Sequence, residues 1–339
     1  MKNSRFILLI LCIFVKTPVA FAQDAYRAYG PNRFDFYLKA NYFNTNSNYD
    51  ANGGKAALPT GGSLQTLKTE TSLRYVLLER VGLLGGVEFG NVESNNGTQV
   101  RTQSTMTAYQ LGIDLNLYKS KSWSLYTDAV FKNSNENIKV NGDEALASDG
   151  ANEIIGKITG LYTGSSLRGY ASLGGNFRSD GLSSLLVYSF GADYSFSGFS
   201  VGLNFEGLST IKDDEQTATP VVRDTLTNRV NAGSRRYYSV NPNYLEGQLV
   251  LGYAFDKNLK FSIYGGPSLV GSNSAQGVSA GAKLNWGFEP ELVKTSTSEV
   301  VEQTPNSITE PGFKVDTEDG VNQDLFKNTA PVPSNPNKK

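Results

Sequence analysis

The chain has 339 residues, with 31 Lys+Arg against 32 Asp+Glu, one cysteine and no histidine. That near-neutral balance excludes the basic footprint of a nucleic-acid binder, and the lack of histidine removes the commonest general base and a frequent metal ligand. Mean hydropathy is −0.31, too polar for a helical membrane protein, yet glycine is high at 35 and tyrosine and phenylalanine number 18 each.

In chain order, residues 1–22 read as a signal peptide, with a basic start, an apolar stretch over 6–15 and the small-x-small site Ala20-Phe21-Ala22 before Gln23. Cys12 lies inside it, so the rest of the chain carries no thiol chemistry. Without the three basic residues of this leader the net charge is −4. Residues 23–32 read as a short periplasmic N-terminal segment. No later run reaches the roughly 20 apolar residues of a membrane helix.

From residue 33 to 288 the sequence alternates with period 2, the signature of strands with one apolar and one polar face. Strand 1 (34–42) places Phe34, Phe36, Leu38, Ala40 and Tyr42 on one face and Asp35 and Lys39 on the other. Strand 2 (66–77) turns Lys68, Glu70 and Arg74 to the polar face, strand 3 (83–91) Glu88, and strand 4 (105–117) Asp114. Strand 5 (123–131) contributes Asp128 and the adjoining Lys132, strand 6 (154–162) Lys157, strand 7 (167–177) Arg168 and strand 8 (184–196) Asp193. Strand 9 (199–208) adds Glu206, strand 10 (244–255) Glu246, strand 11 (259–265) Lys260 and strand 12 (279–288) Lys283. These sixteen charges, eight of each sign, are the candidate pore-lining residues.

The connections alternate. They are tight after even strands, as at Glu79-Arg80 and Ser197-Gly198, and mostly long and polar after odd ones, clearest at 44–65, 133–153 and 209–243. A transmembrane β-barrel alternates in this way, with short periplasmic turns and long extracellular loops, whereas a soluble sandwich has no reason to. Aromatics gather at both strand ends: Trp123, Tyr162, Phe196, Phe199, Phe255, Trp286 and Phe288 beside the tight turns, and Tyr42, Phe89, Phe131, Phe177 and Phe205 beside the long loops. Two such belts suit the two membrane interfaces. The expected fold is all-β, a 12-stranded antiparallel transmembrane β-barrel over 33–288 with both termini in the periplasm. A tail over 289–339, with six of the 12 prolines and an acidic excess, cannot bury a core and is expected to be largely disordered.

On these residues the chain resembles a Gram-negative outer-membrane β-barrel of the porin-like class. Its last strand resembles the terminal assembly signal of that class: Ser279, Gly281, Leu284, Trp286 and a closing Phe288. The resemblance implies recognition by the outer-membrane assembly machinery and contact with outer-membrane lipid and lipopolysaccharide. In the class the chain usually ends at that aromatic, whereas here 51 residues follow.

Two motifs carry little. Gly277-Val278-Ser279-Ala280-Gly281 fits G-x-S-x-G, but a nucleophile elbow needs a following helix and a histidine. The acidic run 316–324 has the wrong spacing for a calcium loop. No cofactor, metal or catalytic residue is expected. The longest loop, 209–243, holds Arg223, Arg229, Arg235 and Arg236. It either enters the pore, faces a partner outside, or is a mobile solvated loop. The expected function is a porin-like channel for passive diffusion of small hydrophilic solutes. The alternative is a closed structural or interaction barrel whose loops or tail bind a partner, the tail's being periplasmic or cell-wall. A transporter of hydrophobic substrates would need an apolar lumen pocket, of which the inward faces show little.

Overall fold

A computed structural model describes residues 29–139 and 141–290. The expected signal peptide, most of the 23–32 segment, and the tail beyond residue 290 with its acidic run lie outside the described residues. Strands form where period 2 is sustained: β1 (Phe34–Tyr49), β2 (Lys55–Ala57), β3 (Gly62–Leu78), β4 (Val81–Asn96), β5 (Val100–Lys119), β6 (Trp123–Ser134), β7 (Glu153–Thr163), β8 (Leu167–Arg178), β9 (Ser184–Phe196), β10 (Phe199–Lys212), β11 (Asn243–Ala254), β12 (Leu259–Ser272) and β13 (Ser274–Phe288). One helix, α1 (Val221–Val230), sits between β10 and β11. No helix among the described residues is long and apolar enough to cross a membrane.

Each long strand pairs antiparallel with its sequence neighbour, and β13 returns to pair with β1, from Phe34 opposite Phe288 to Tyr49 opposite Ser274. The result is a closed 12-stranded antiparallel barrel. The short β2 is outside the ring; it takes over as partner of β1 at Ser47–Tyr49, beyond the point where β3 leaves. Closure leaves no ring strand with an open edge, the condition for backbone to sit in lipid.

Side chains are distributed inside out. Leu111, Trp123, Ile154 and Leu203 are 56–62% exposed, while Arg74, Arg168, Asp114 and Glu88 are at most 4% exposed. In water such a surface would be a large apolar patch; as a lipid-facing band it is what a membrane barrel requires. The aromatics at the tight-turn end form a near-continuous girdle, with centroid distances of 4.7 Å for Phe34–Tyr75, 5.3 Å for Phe34–Phe288, 5.1 Å for Trp123–Tyr162 and 4.7 Å for Phe199–Tyr253. Trp286 of the terminal strand joins it at 5.1 Å from Phe288, while Ser279 and Lys283 of the same strand are buried toward the lumen.

The strands run further than the sequence pattern marks them at the long-loop end. β1 continues to Tyr49 rather than 42, β3 begins at Gly62 rather than 66, and β12 and β13 meet at a tight turn on Asn273, with φ 48°. The 92–104 and 266–278 connections, expected as loops, are therefore mostly extended hairpins. Only 50–61, 135–152 and 213–242 are real excursions at that end. Above the lipid both faces of a strand meet water or other loops, so the apolar half of the alternation is lost and the pattern stops before the strand does.

Candidate functional site

The inward charges sort into three tiers along the lumen. At the tight-turn end Arg74 lies between two carboxylates. Its Nε and Nη2 donate to Asp114 at 2.7 and 2.9 Å, and its Nη1 donates to Asp35 at 2.7 Å. Arg33 donates to Asp35 at 2.7 Å, and the Tyr29 hydroxyl bonds to Asp114. The Tyr29 ring covers the Arg74 guanidinium at 4.5 Å and stacks on Tyr126 at 5.7 Å, with Leu161 and Tyr170 packed alongside. Arg168 pairs with Asp193, and Tyr170 bonds to Asn204. Asp35, Arg74 and Asp114 are thus buried inside the barrel, knotted together with a tyrosine from the N-terminal segment rather than set around open water, and Arg168 is buried in its own pair with Asp193.

The middle tier is a charge belt across one wall. Lys68 on β3 meets Glu88 on β4 at 2.8 Å, Lys132 on β6 bridges Glu88 and Glu153 at 3.0 Å each, and Asn176 on β8 donates to Glu153 at 2.6 Å. Lys132 can span β5 because a bulge there places the small Thr107 and Ala108 both inward, and both are buried. Nearby, Gln110 donates to Glu70 at 2.8 Å and Lys157 lies 3.7 Å from Asp128. On the opposite wall Lys39 and Lys283 stand directly opposite in register, 6.0 and 5.0 Å from the Tyr264 ring, and Glu206 stands opposite Glu246. Lys260 and Lys283 line a side recess with Asp193.

Two larger spaces meet at the belt, sharing Lys68, Glu88, Lys132 and Glu153 as lining. The lower amounts to about 1330 Å³ and the upper to about 1060 Å³ of space open to solvent. The upper ends at the third tier, a cap built from the 135–152 and 213–242 excursions. In the cap Leu226 and Val230 of α1 pack on Leu146, with Ile138, Tyr237 and Tyr238 at the margin. Arg223 pairs with Asp214 at 2.6 Å, Asn231 Oδ1 accepts from Leu146 N at 2.8 Å, and Arg229 donates to the Gly142 carbonyl at 2.6 Å. Glu136 accepts from Ala147 N at 2.9 Å and from the Ser148 hydroxyl at 2.6 Å. Burial pushes its carboxyl above the usual glutamate range despite those bonds. The longest loop therefore folds over this end of the barrel, with Arg235, Arg236 and Tyr237 lining the upper space, which differs from a loop inserted into the pore and from a loop packed on nothing.

Sequence reasoning missed Glu153, placed at a loop end, as well as Arg178 and the plugging Tyr29. Among the described residues no group of three or more metal-type side chains converges.

The fold is that of outer-membrane β-barrel channels. No family model and no curated protein matches the sequence. Among solved structures, the COG4313 outer membrane channel from Pseudomonas putida F1 matches with a TM-score of 0.57 at 13% identity, covering 79% of this chain and all of that one. The NanC porin matches with a TM-score of 0.45 at 8% identity over 74% of this chain and 98% of that one; the KdgM porin with 0.40 at 11% over 74% and 99%. At such identities the likeness concerns fold alone.

Proposed function

We propose that the chain is an outer-membrane channel for passive diffusion of small hydrophilic solutes, with the tight turns and both termini on the periplasmic side. The observation that carries this is the pair of polar spaces of about 1330 and 1060 Å³ that meet inside a barrel whose outer face is apolar. Charged side chains facing such space are solvated and tolerable, whereas a dry interior would charge several kcal/mol for each ion left unmatched. Two structures narrow the route, the Tyr29–Arg74 knot at one end and the α1 cap at the other, so the described state is a constricted one.

Proteoliposome swelling tests the proposal. Vesicles containing the full chain should swell in iso-osmotic small sugars faster than empty vesicles, and faster still when residues 218–234 are deleted. Swelling no faster than that of empty vesicles in both preparations would favour the alternative, a closed barrel that acts through its loops or tail.

A further inference from the structure

The upper space is not electrically neutral. Five cations line it, Lys68, Lys132, Arg178, Arg235 and Arg236, against the carboxylates Glu88, Asp149 and Glu153. Three of the cations are matched. Lys68 and Lys132 share Glu88 and Glu153 within the belt, and Arg178 pairs with Asp149 at 3.0 Å while donating to the Ser183 carbonyl at 2.7 Å. The remaining two are the neighbours Arg235, matched only by a long pair with a carboxylate outside the space, and Arg236. Arg235 reaches Asp224 only at 3.7 Å, on the α1 side, and donates to Asn273 Oδ1 at 3.1 Å. The Arg236 guanidinium carbon lies over Phe43 at 4.1 Å from the ring centroid. Among the described residues no carboxylate comes within the 4.0 Å of an ion pair with it; Tyr244, Tyr237, through a hydrogen bond, and the more distant Glu246 are the groups that act on it.

The segment carrying the two arginines is held in place. Arg235 N donates to Asn48 Oδ1 at 2.9 Å, Asn48 Nδ2 donates to the Gly233 carbonyl at 2.8 Å, and Tyr238 N donates to Asp149 at 2.6 Å. Ala232 and Tyr238 adopt φ of 53° and 58°, the left-handed region that a residue with a side chain enters at a cost and keeps only under constraint. The Arg223 guanidinium stacks on Tyr238 at 4.5 Å and supports that turn. A mobile loop has no need of such strain. An arginine pair held on a polar space, with one guanidinium backed by an aromatic face, is suited to a planar or tetrahedral oxyanion. Below the belt Lys39, Lys68, Lys132, Lys157 and Lys283 line the lower space against Glu70, Glu88, Asp128 and Glu153, Arg74 there being matched by Asp35 and Asp114. Among the described lining residues the cationic excess is thus concentrated in the upper space, where the loop brings in Arg235 and Arg236.

We propose that Arg235 and Arg236 form a binding subsite for small oxyanions, bearing a carboxylate or a phosphate, beneath the extracellular cap, and that solutes of this class are the ones the lumen favours. This deepens the channel reading, and its test does not depend on conductance. Equilibrium binding of inorganic phosphate and of citrate to the detergent-solubilised full chain is measured for wild type, Arg236→Gln, Arg101→Gln and Glu246→Gln. Wild type should bind at least one probe at millimolar concentration or better, and which one it prefers separates phosphate from carboxylate recognition. Arg236→Gln should weaken binding about tenfold, the scale of one lost charge-assisted hydrogen bond. Arg101→Gln, at the rim and paired with Asp143 at 2.8 Å, should bind like wild type, and Glu246→Gln should bind more tightly. If Arg236→Gln lacks the heat-modifiable gel shift of a folded barrel, Arg235→Gln takes its place. Binding of neither probe by wild type, or equal binding by wild type and the arginine variant, overturns the proposal. The second outcome would make Arg236 a counter-charge for Glu246 and nothing more. A chain that binds the probes but passes no current in bilayers would keep the subsite and remove the channel.

Discussion

Replacing Arg74 by methionine removes the guanidinium but keeps much of the side-chain volume, so its effect measures the knot rather than a cavity. Arg74 is 1% exposed and gives three hydrogen bonds of 2.7–2.9 Å to Asp35 and Asp114. In the variant Asp35 keeps Arg33 at 2.7 Å, so most of the penalty falls on Asp114, which keeps the Tyr29 hydroxyl but loses a two-pronged cation. Breaking a buried pair by removing one partner costs about 3–5 kcal/mol, because the other charge is left buried and uncompensated. Adding Asp114→Asn removes that stranded charge, and the double variant should recover about 1.5–3 kcal/mol. The assay is urea unfolding of the barrel in lipid vesicles, followed by the fluorescence of Trp123 and Trp286, both at the lipid-facing girdle near the knot. A loss below about 1 kcal/mol for Arg74→Met, the scale of an exposed ion pair, or no recovery in the double variant, would refute the reading of a buried, mutually dependent knot.

Leu226→Ala should cost about 2–4 kcal/mol of cap stability, read as faster amide exchange over 221–230, with the barrel's own unfolding midpoint unchanged. Glu136 gives a pH dependence whose sign is fixed by its raised carboxyl pKa. The folded cap takes up a proton before the unfolded loop does, so the cap should gain protection as pH falls through the folded value, the gain being complete below the unfolded one; Glu136→Gln should abolish the trend. Lys132→Gln removes the cation between Glu88 and Glu153 and should shift the reversal potential in a KCl gradient toward cations. An unchanged potential would place the permeation route away from the belt.

The sequence made the lipid face legible because lipid demands strict alternation: Leu73 out and Arg74 in, Leu284 out and Lys283 in. It made the tight turns legible because Ser197-Gly198 and Glu79-Arg80 interrupt that alternation sharply. The upper strand ends were not legible, since residues 44–48, Asn-Thr-Asn-Ser-Asn, are polar on both faces. Inward charges were identifiable one strand at a time, but their grouping depends on register and on the β5 bulge, neither of which period 2 reveals. Glu153 and Arg178 stayed hidden because they sit where a strand meets a loop. The cap helix carries weak signals that together mark it: Pro220 before it, Asp224 in its first turn and Arg229 in its last. Its β-branched, charged sequence has little amphipathic pattern of its own, so the helix is stabilised chiefly by Leu146 and the tyrosines it packs against. The balanced inward charge of the strands gives way to a cationic upper space because Arg178, Arg235 and Arg236 enter from outside the marked strands against only Asp149 and Glu153.

Single-channel recording in planar bilayers tests the central claim most directly, comparing the full chain with a form lacking residues 218–234 of the cap. A water-filled lumen narrowed by its own loops predicts small, discrete conductance steps for the full chain and steps several-fold larger once the cap is shortened. No current from either form, with both showing the heat-modifiable migration of a folded barrel, would contradict it.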